Sequence, residues 1–287
     1  MSTLYVVATP IGNLEDISAR ALRILSEVEL IAAEDTRHTL GLLTHFGIKK
    51  PLVSYYEHNK LSRGPELLAK LEAGADIALV SDAGLPGICD PGYELIKSCV
   101  DAGIEVTVVP GPCACVTALV MSGLPTDGFV FEGFIGTDNK SRRAFFDRLR
   151  SEPRTTVCYE APHRIIKTLE ELDRIFTEAG EPARRVAIMR ELTKTHEEAV
   201  RGSAAELLAR FENDPPRGEF VLCSAGTDNT ARANIEGPAD DDAVRGYYGG
   251  LTAGGAAPKE ALKQTMERFG LTRNDAYKII KVSGGNS

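Results

Sequence analysis

The twelve residues SDAGLPGICDPG, at positions 81–92, determine how the first half of this chain is interpreted. They follow Ile77 to Val80, an apolar run with the length and β-branched content of a buried strand. They precede Tyr93 to Val100, in which apolar residues recur at helical spacing. Glycines allow close approach of a ligand and prolines restrict the remaining dihedral angles, so we interpret the stretch as a ligand-binding loop after a strand. The alternative is a tight strand-to-helix connection, which rarely needs twelve residues of this composition.

The bulk composition indicates a globular protein rather than a fibrous, membrane or disulfide-rich one. With 287 residues, the chain is long enough for two ordinary domains. No apolar run is long enough to span a membrane, and residues 1–10 do not form a secretion signal. The six cysteines include no CxxC pair, which favours reduced core thiols in a cytoplasmic protein over a disulfide framework or a metal site. A net charge of −8 argues against a surface that binds nucleic acid everywhere, but it permits local basic patches.

Three further strand-like runs end in loops of unusual composition. Leu4 to Ala8 is followed by TPIGN, Leu30 to Ala33 by EDTRH at 34–38, and Glu105 to Val109 by PGPCA at 110–114. Polar side chains at the exit of a buried strand indicate a site, although Asp35 could equally serve only to cap the next helix. Strands and helices alternate through residue 120, which predicts an α/β domain with a mainly parallel sheet. The nucleotide motifs GxGxxG and GxxxxGK[ST] are absent.

The alternation resumes after residues 123–126, which we take as a domain boundary. Strands are predicted at 129–134, 155–159, 185–189 and 219–223, and YEAPHR and RELTK follow two of them. We therefore predict an α/β domain at 1–122 and a second one at 123–230, with a ligand cleft between them. A linker at 231–242 and a helical appendix at 243–287 complete the predicted domain organisation.

The appendix is basic on an otherwise acidic chain. Residues 243–287 hold seven lysines and arginines against three acids, and GLTR at 270–273 fits a helix–turn–helix connection with Thr272 as N-cap. This balance favours RNA binding over an ordinary solvated helix face, which would give the same count. The candidate RNA-binding residues are Lys259, Lys263, Arg273 and Lys278.

A second basic stretch spans residues 140–154. Phe145, Phe146 and Leu149 recur there at helical spacing, so we expect them to face the core and the arginines to face solvent. Arg142 and Arg143 are therefore further candidates for contacts with phosphate.

Seven stretches, taken in chain order, resemble one protein family. They are ATPIGNLEDIS, AEDTRHT, SDAGLPGICDPG, VPGPCA, YEAPHR, RELTKTHEE and GEFVLC. Together they resemble the ribosomal RNA small-subunit methyltransferase I family, a branch of the tetrapyrrole-methylase-like, class III methyltransferases that use S-adenosylmethionine (SAM). The resemblance covers residues 3–225, and the tail is similar to that family's helical RNA-binding appendix. The tetrapyrrole branch usually carries a shorter Gly-Asp-Pro loop where this chain has SDAGLPG, which favours the RNA branch.

The resemblance implies two α/β domains that hold SAM in the cleft between them. It implies transfer of a methyl group to the ribose 2′-hydroxyl of a cytidine in the decoding region of 16S ribosomal RNA, with the small ribosomal subunit as partner and a homodimer as the assembly. The residues that the matching motifs assign to the cofactor are Asp82, Ala83, Gly84, Ile88, Pro110, Gly111, Tyr159, Glu160, Ala161, Pro162, Leu192, Gly218 and Phe220.

The chemistry of such a transfer requires alignment more than activation, because a sulfonium makes its methyl group electrophilic. A base near the weakly acidic ribose hydroxyl would help. The candidates are Glu34, Asp35, Asp82, His163 and Glu191, with Arg37 or Lys194 to stabilise phosphate or charge. We take Asp35, Glu191 and Lys194 as the working catalytic set, although Asp35 and Glu191 are equally consistent with cap or salt-bridge roles.

Two other functions remain open from sequence. One is a tetrapyrrole C-methyltransferase, which would share the architecture. The other is a non-catalytic module that binds SAM or RNA. The basic appendix argues against the first, because a tetrapyrrole substrate needs no such element.

Overall fold

The computed structural model describes residues 2–213, 216–227, 241–269, 271 and 273–281. The chain divides into two compact units: the first comprises residues 1–150 and 154–225, and the second comprises residues 151–153 and 226–287. Among the described residues, the first unit contains two five-stranded sheets and the second contains three helices.

The first sheet is parallel throughout, as predicted. Its strands are β1 (Thr3–Val7), β2 (Leu30–Ala33), β3 (Leu52–Ser54), β4 (Ile77–Val80) and β5 (Glu105–Val109), arranged in the order β3-β2-β4-β1-β5. The connecting helices are α1 (Ala19–Glu27), α2 (Thr36–His45), α3 (Lys60–Glu72), α4 (Tyr93–Asp101) and α5 (Ala114–Ser122).

Helices cover both faces of this sheet, which explains why β4 is apolar at every position. Ala78 and Val80 pack into the cluster that contains α1, whereas Ile77 and Leu79 pack into the cluster that contains α3 and α4. All four residues of β4 are buried. The start of α1 is set by Ser18, whose hydroxyl accepts a hydrogen bond from the backbone N–H of Ala21 at 3.0 Å.

Parallel pairing places the end of every strand at the same edge of the sheet. The loops 8–13, 34–35, 81–92 and 110–113 therefore leave β1, β2, β4 and β5 side by side. We call this the carboxyl edge, and it is the part of the fold that positions the site.

The second sheet is mixed. Its strands are β6 (Phe129–Phe134), β7 (Thr155–Glu160), β8 (Arg185–Arg190), β9 (Glu198–Ser203) and β10 (Phe220–Ser224), in the order β6-β7-β10-β8-β9. Only β6 and β7 pair in parallel, and the other neighbours are antiparallel. The helices of this part are α6 (Asn139–Ser151), α7 (Ile165–Glu178) and α8 (Ala204–Asn213).

The strand β9 and the helix α8 are not predicted by the sequence patterns described above. The strand β9 lies at the sheet edge, and its sequence EAVRGS has no apolar run because no position in it is fully buried. The other predicted strands of this half are present, within one or two residues of the predicted ends.

The helix α5 links the two sheets. It follows the last strand of the first sheet, but Cys115, Ala118 and Leu119 pack against residues of the second sheet such as Val157 and Met189. The predicted boundary at 122/123 therefore falls after a helix that covers the second sheet, and residues on both sides of it belong to one compact unit.

The second unit contains α9 (Asp241–Ala253), α10 (Pro258–Phe269) and α11 (Arg273–Lys281). Val244, Ala261, Thr265 and Ala276 form its buried interior. Residues 231–240 of the predicted linker and the predicted cap Thr272 lie outside the described residues, and the linker's last two residues belong instead to α9. Within the described ranges, no helix is both long enough and apolar enough to cross a bilayer.

Candidate functional site

A cavity of about 490 Å³ lies in the first unit, with walls from both sheets. We call it the inter-sheet cavity, and its volume is within the range of small-molecule sites. One wall comes from the carboxyl edge of the first sheet and comprises Ile11, Glu34, Asp82, Ala83, Gly84, Leu85, Ile88, Cys89, Asp90, Cys113 and Ala114. The other wall comprises Phe134, Tyr159, Glu160, Ala161, Pro162, Leu192, Glu219, Phe220 and Val221.

The loop 81–92 contributes more of this lining than any other segment, and its glycines explain its shape. Gly84 has a φ of +83°, and its backbone exchanges two hydrogen bonds with Thr9, of 2.8 and 3.0 Å. These bonds fasten the loop after β4 to the loop after β1. At Gly92 a Cβ atom would lie 3.1 Å from the backbone nitrogen of Gly87, so the loop also packs tightly against itself. Cys89, with a φ of +67°, is a non-glycine residue in the left-handed region, which non-glycine residues adopt uncommonly.

Three carboxyl groups belong to the first wall. The backbone N–H of Asp82 donates to Glu34 Oε2 at 3.3 Å, and Asp82 Oδ1 accepts from the backbone N–H of Asp35 at 3.0 Å. Burial raises the pKa of Glu34, and burial followed by repulsion from Glu34 raises the pKa of Asp90 to about 6. Three acidic side chains on one wall suit a positively charged ligand. Among the described residues, no group of three or more His, Cys, Asp or Glu is arranged to hold a metal ion.

Two thiols lie in contact at the start of α5. The sulfur atoms of Cys113 and Cys115 are 3.4 Å apart, and Cys113 lines the cavity. The hydrogen bond between the two thiols lowers the pKa of Cys113 to about 6, with smaller contributions from backbone N–H groups of the helix N-terminus. The same interaction raises the pKa of Cys115. The expectation of core thiols is correct for Cys99, Cys115, Cys158 and Cys223 but wrong for Cys89, which is exposed, and for Cys113, which is only partly buried.

The second wall rests on a buried ionic network around Glu160. One carboxylate oxygen accepts from the guanidinium of Arg142 at 3.3 Å and from the hydroxyl of Thr168 at 2.6 Å. The other oxygen lies 2.6 Å from the guanidinium of Arg164 and accepts from the backbone N–H of Ala161 at 2.8 Å. The side chain of Glu160 has no exposure, and these partners fix the backbone of 159–162 that lines the cavity.

The expectation that Arg142 faces solvent and contacts phosphate is wrong. It is buried, and it lies on the same face of α6 as Phe145, Phe146 and Leu149, whose burial confirms the predicted core face. Residue 142 lies three, four and seven positions before those three, which is the spacing of one helix face. Its charge suggested a surface position, but its spacing indicated the core.

Glu191 and Lys194 lie outside the lining of the inter-sheet cavity. Their side chains connect the loop after β8 to the segment before β10. Lys194 Nζ lies 3.0 Å from Glu191 Oε1 and 3.1 Å from Glu219 Oε2, and Glu191 accepts from the backbone N–H of Glu219 at 2.9 Å. That backbone hydrogen bond is the main reason that the pKa of Glu191 is lowered. A Cβ atom on Gly12 would lie 2.5 Å from the Lys194 side chain, so this loop packs directly against the loop after β1.

Asp35 is the N-cap of α2 and also lies outside the lining. Its carboxylate accepts from the backbone N–H of Arg37 at 2.8 Å and pairs with the Arg37 guanidinium at 2.6 Å. These bonds hold its pKa well below the usual range. The contacts of Asp35 and Glu191 are thus those of the cap and salt-bridge alternatives, and their catalytic role, like that of Lys194, stays a prediction.

Most of the residues predicted to bind the cofactor do line one cavity. They are Asp82, Ala83, Gly84, Ile88, Tyr159, Glu160, Ala161, Pro162, Leu192 and Phe220. Pro110, Gly111 and Gly218 lie outside the lining. A Cβ on Gly111 would lie 2.9 Å from the Cβ of Ala8, and one on Gly218 would lie 2.6 Å from Glu191, so both glycines allow adjacent loops to pack.

Several lining residues had no assigned role in the sequence analysis. Asp90 and Cys89 lie in the loop already chosen, but nothing in their spacing indicated that they face a cavity. Phe134 comes from the second half of the chain, at the end of β6, and contacts the Tyr159 ring at a centroid distance of 5.2 Å. Only the pairing of β6 beside β7 brings Phe134 to the site.

The candidate RNA-binding residues have different environments. Arg143 is exposed, with Asp147 3.8 Å away, whereas the nearby Arg148 and Arg150 are paired with Glu132 and Glu178. Lys259, Lys263 and Lys278 are exposed in the second unit. Arg273 begins α11, and its side chain lies outside the described residues.

Comparisons with known proteins agree with one another. The profile of the family described as Tetrapyrrole (Corrin/Porphyrin) Methylases matches residues 3–208. A Synechocystis sp. protein named ribosomal RNA small subunit methyltransferase I is 47% identical over 279 residues, covering 97% of each chain. A protein of the same name from Thermotoga maritima is 46% identical over 226 residues, covering 79% of this chain and 99% of its own. The fold resembles a uroporphyrin-III C-methyl transferase from Thermus thermophilus, solved with S-adenyl homocysteine, at a TM-score of 0.52 and 20% identity, covering 78% of this chain and 97% of that one.

The thiol pair yields a first prediction. Near neutral pH, iodoacetamide should alkylate Cys113 faster than Cys89, although Cys89 is more exposed, because only Cys113 has a lowered pKa. The Cys113 rate should rise through about pH 6 and then level off. Peptide mass spectrometry after short exposures measures both rates. In Cys115→Ala the rise should move to higher pH, and an unchanged profile would show that the thiol contact does not activate Cys113.

The buried network yields a second prediction, with a neighbouring residue as its control. Arg142→Ala should lower the free energy of unfolding by about 3 kcal/mol, because it removes one partner of a buried carboxylate. Arg143→Ala, which removes only an exposed pair, should cost less than about 0.5 kcal/mol. Urea denaturation of both variants measures the difference. Equal effects would contradict the role assigned to Arg142.

Proposed function

Since the chain belongs to the ribosomal RNA small subunit methyltransferase I family, within the tetrapyrrole methylases, we propose that it methylates small-subunit ribosomal RNA with SAM as methyl donor. We assign the ribose 2′-hydroxyl of a cytidine in the decoding region of 16S RNA as the acceptor. The observation that carries the proposal is the inter-sheet cavity, which is lined by ten of the thirteen residues that the family's motifs select for the cofactor.

The two walls of the cavity fit the two ends of SAM. The carboxylates of Glu34, Asp82 and Asp90 suit its positive charges. The methionyl part of SAM fits the part of the cavity that loop 81–92 lines. The opposite wall, with Phe134, Tyr159 and further apolar residues, suits the flat adenine ring. The proportion of apolar surface with a few polar groups is typical of cofactor sites.

When bound, SAM supplies an electrophilic methyl group, so the protein itself has to supply position and a proton acceptor. Asp82 is best placed for the second task, because it lines the cavity and its carboxylate is held by the backbone of Asp35. The network around Glu160 keeps the opposite wall rigid, which matters because small displacements of aligned groups cost large factors in rate.

The second unit supports the RNA part of the proposal. Lys259 and Lys263 lie one turn apart on α10, and Lys278 lies on α11, all exposed. Lysines in this arrangement suit the phosphate backbone of RNA. The Thermotoga maritima relative matches over 99% of its own length but only 79% of this chain, so about a fifth of this chain has no counterpart in it. We therefore assign the second unit to RNA affinity rather than to the transfer step.

We also propose a homodimer that acts in the cytoplasm, where small ribosomal subunits are found. The helix α5 exposes Val116 and Val120, which lie one turn apart and are 47% and 72% exposed. These two valines support an interface on that helix, and light scattering of Val120→Asp against the wild type tests it.

The first test is transfer of labelled methyl groups to small ribosomal subunits from cells that lack this gene. We expect label on one ribose of the 16S RNA, mapped by nuclease digestion. The triple variant Lys259→Gln, Lys263→Gln, Lys278→Gln should raise the KM for subunits and flatten its salt dependence while kcat stays near the wild-type value. Absence of label from every subunit preparation, with SAM bound normally, would refute the function.

Asp90 gives a pH-dependent prediction for cofactor binding. Its pKa is raised to about 6, so its negative charge is present above that pH and is lost as the pH falls through it. The Kd for SAM should therefore rise as the pH is lowered through about 6. Asp90→Asn should have a high Kd throughout and a flatter profile, as measured by calorimetry. If Asp90→Asn showed the wild-type pH profile, Asp90 would not be the group that makes SAM binding pH-dependent.

A further inference from the structure

A second cavity, of about 360 Å³, opens beside α2. We call it the α2 cavity. It is lined by Thr9, Pro10, Leu14, Arg37, His38, Gly41, Leu42 and Asp82. Arg37 is predicted from the sequence as a group that could stabilise phosphate, but the proposed cofactor site does not use it.

The α2 cavity and the inter-sheet cavity share three loops of the carboxyl edge. In the loop after β1, Ile11 lines the inter-sheet cavity, and Pro10 lines the α2 cavity. In the segment after β2, Glu34 lines the first, and Arg37 and His38 line the second. The hydrogen bonds between Thr9 and Gly84 hold two of these loops together at the boundary.

Asp82 is the residue that lines both cavities. A group that is bound in the α2 cavity and reaches Asp82 therefore meets a group that is bound in the inter-sheet cavity. A transfer reaction requires two adjacent sites of this kind, with a proton acceptor where they join.

We propose that the α2 cavity receives the acceptor nucleoside of the RNA and brings its ribose hydroxyl to Asp82. This inference rests on the proposed function and specifies its substrate site. Leu14 and Leu42 offer apolar surface to the face of a base, and Leu14 is 39% exposed in the present state.

Arg37 suits the phosphate next to that nucleoside. Its side chain is 89% exposed, and Asp35 engages Nε and Nη2 but not Nη1. His38 lies beside it on the first turn of α2 and adds a further hydrogen-bonding group.

Gly41 allows a direct test, because it lines the α2 cavity and a Cβ atom there would contact nothing within 4 Å. Gly41→Leu should therefore fill the cavity without disturbing α2, since leucine favours helix. Gly64, on α3, has the same open surroundings and lies outside both cavity linings, so Gly64→Leu is the matched control.

We expect Gly41→Leu to lower kcat/KM for small ribosomal subunits by about tenfold or more while its Kd for SAM stays that of the wild type. Gly64→Leu should match the wild type in both. Arg37→Ala should raise the KM for subunits with a smaller change in kcat. Circular dichroism shows that each variant is folded.

Each outcome decides the inference separately from the proposed function. The assignment of the α2 cavity would be overturned by any of three results: a wild-type kcat/KM in Gly41→Leu, an equal loss of kcat/KM in Gly64→Leu, or a higher Kd for SAM in Gly41→Leu. If the wild-type protein methylates no RNA, the proposed function fails first. Binding of a short cytidine-containing oligoribonucleotide to the SAM-loaded proteins then tests the cavity alone, and equal Kd values for wild type and Gly41→Leu overturn it.

Discussion

Parallel strand pairing is the constraint on which the site depends. Because β1, β2, β4 and β5 run in the same direction, their four exit loops leave the sheet at one edge. The strand order then makes neighbours of loops that are far apart in sequence. The loop after β4 can therefore exchange backbone hydrogen bonds with the loop after β1, through Thr9 and Gly84. An antiparallel sheet of the same strands would divide these loops between two edges.

The second sheet contributes to the site differently. The first sheet supplies loops that leave one edge, whereas the second supplies the opposite wall of the cavity. The segment 159–162 leaves β7 and must keep a fixed shape, and the chain achieves this with a carboxylate buried between two arginines. Such a group is costly to bury, and the cost is offset only because Glu160 has four partners. A hydrophobic residue at 160 could fill the space, but it could not bond the backbone N–H of Ala161. The network thus gives the wall a defined geometry rather than extra stability.

The sequence predicted this site well where local composition carries the information, and poorly where it does not. The strand β4 and the loop 81–92 could be identified because a buried strand must be apolar and a close-packed loop needs glycine. Arg142 was misplaced because its charge was given more weight than its helical spacing. The proximity of Phe134 to Tyr159, and the contact between two thiols at the start of α5, depend on tertiary packing that no local pattern encodes. The pKa values of Asp90 and Cys113 depend on the same packing, and so could not be inferred from sequence either.

The position of Asp82 connects these observations. It lies in the loop that the sequence identifies most strongly, and its carboxylate is oriented by the backbone of the next loop rather than by a charged partner. A carboxylate held in this way keeps its remaining oxygen available, whereas Asp35 and Glu191 are each engaged by a cation. For a transfer between two bound groups, a carboxylate that lines both cavities is better placed to accept a proton than one that lines neither. Asp35, Glu191 and Lys194 were selected from loops at strand exits and line neither cavity, so we propose the wall that the two cavities share as the place of the chemistry.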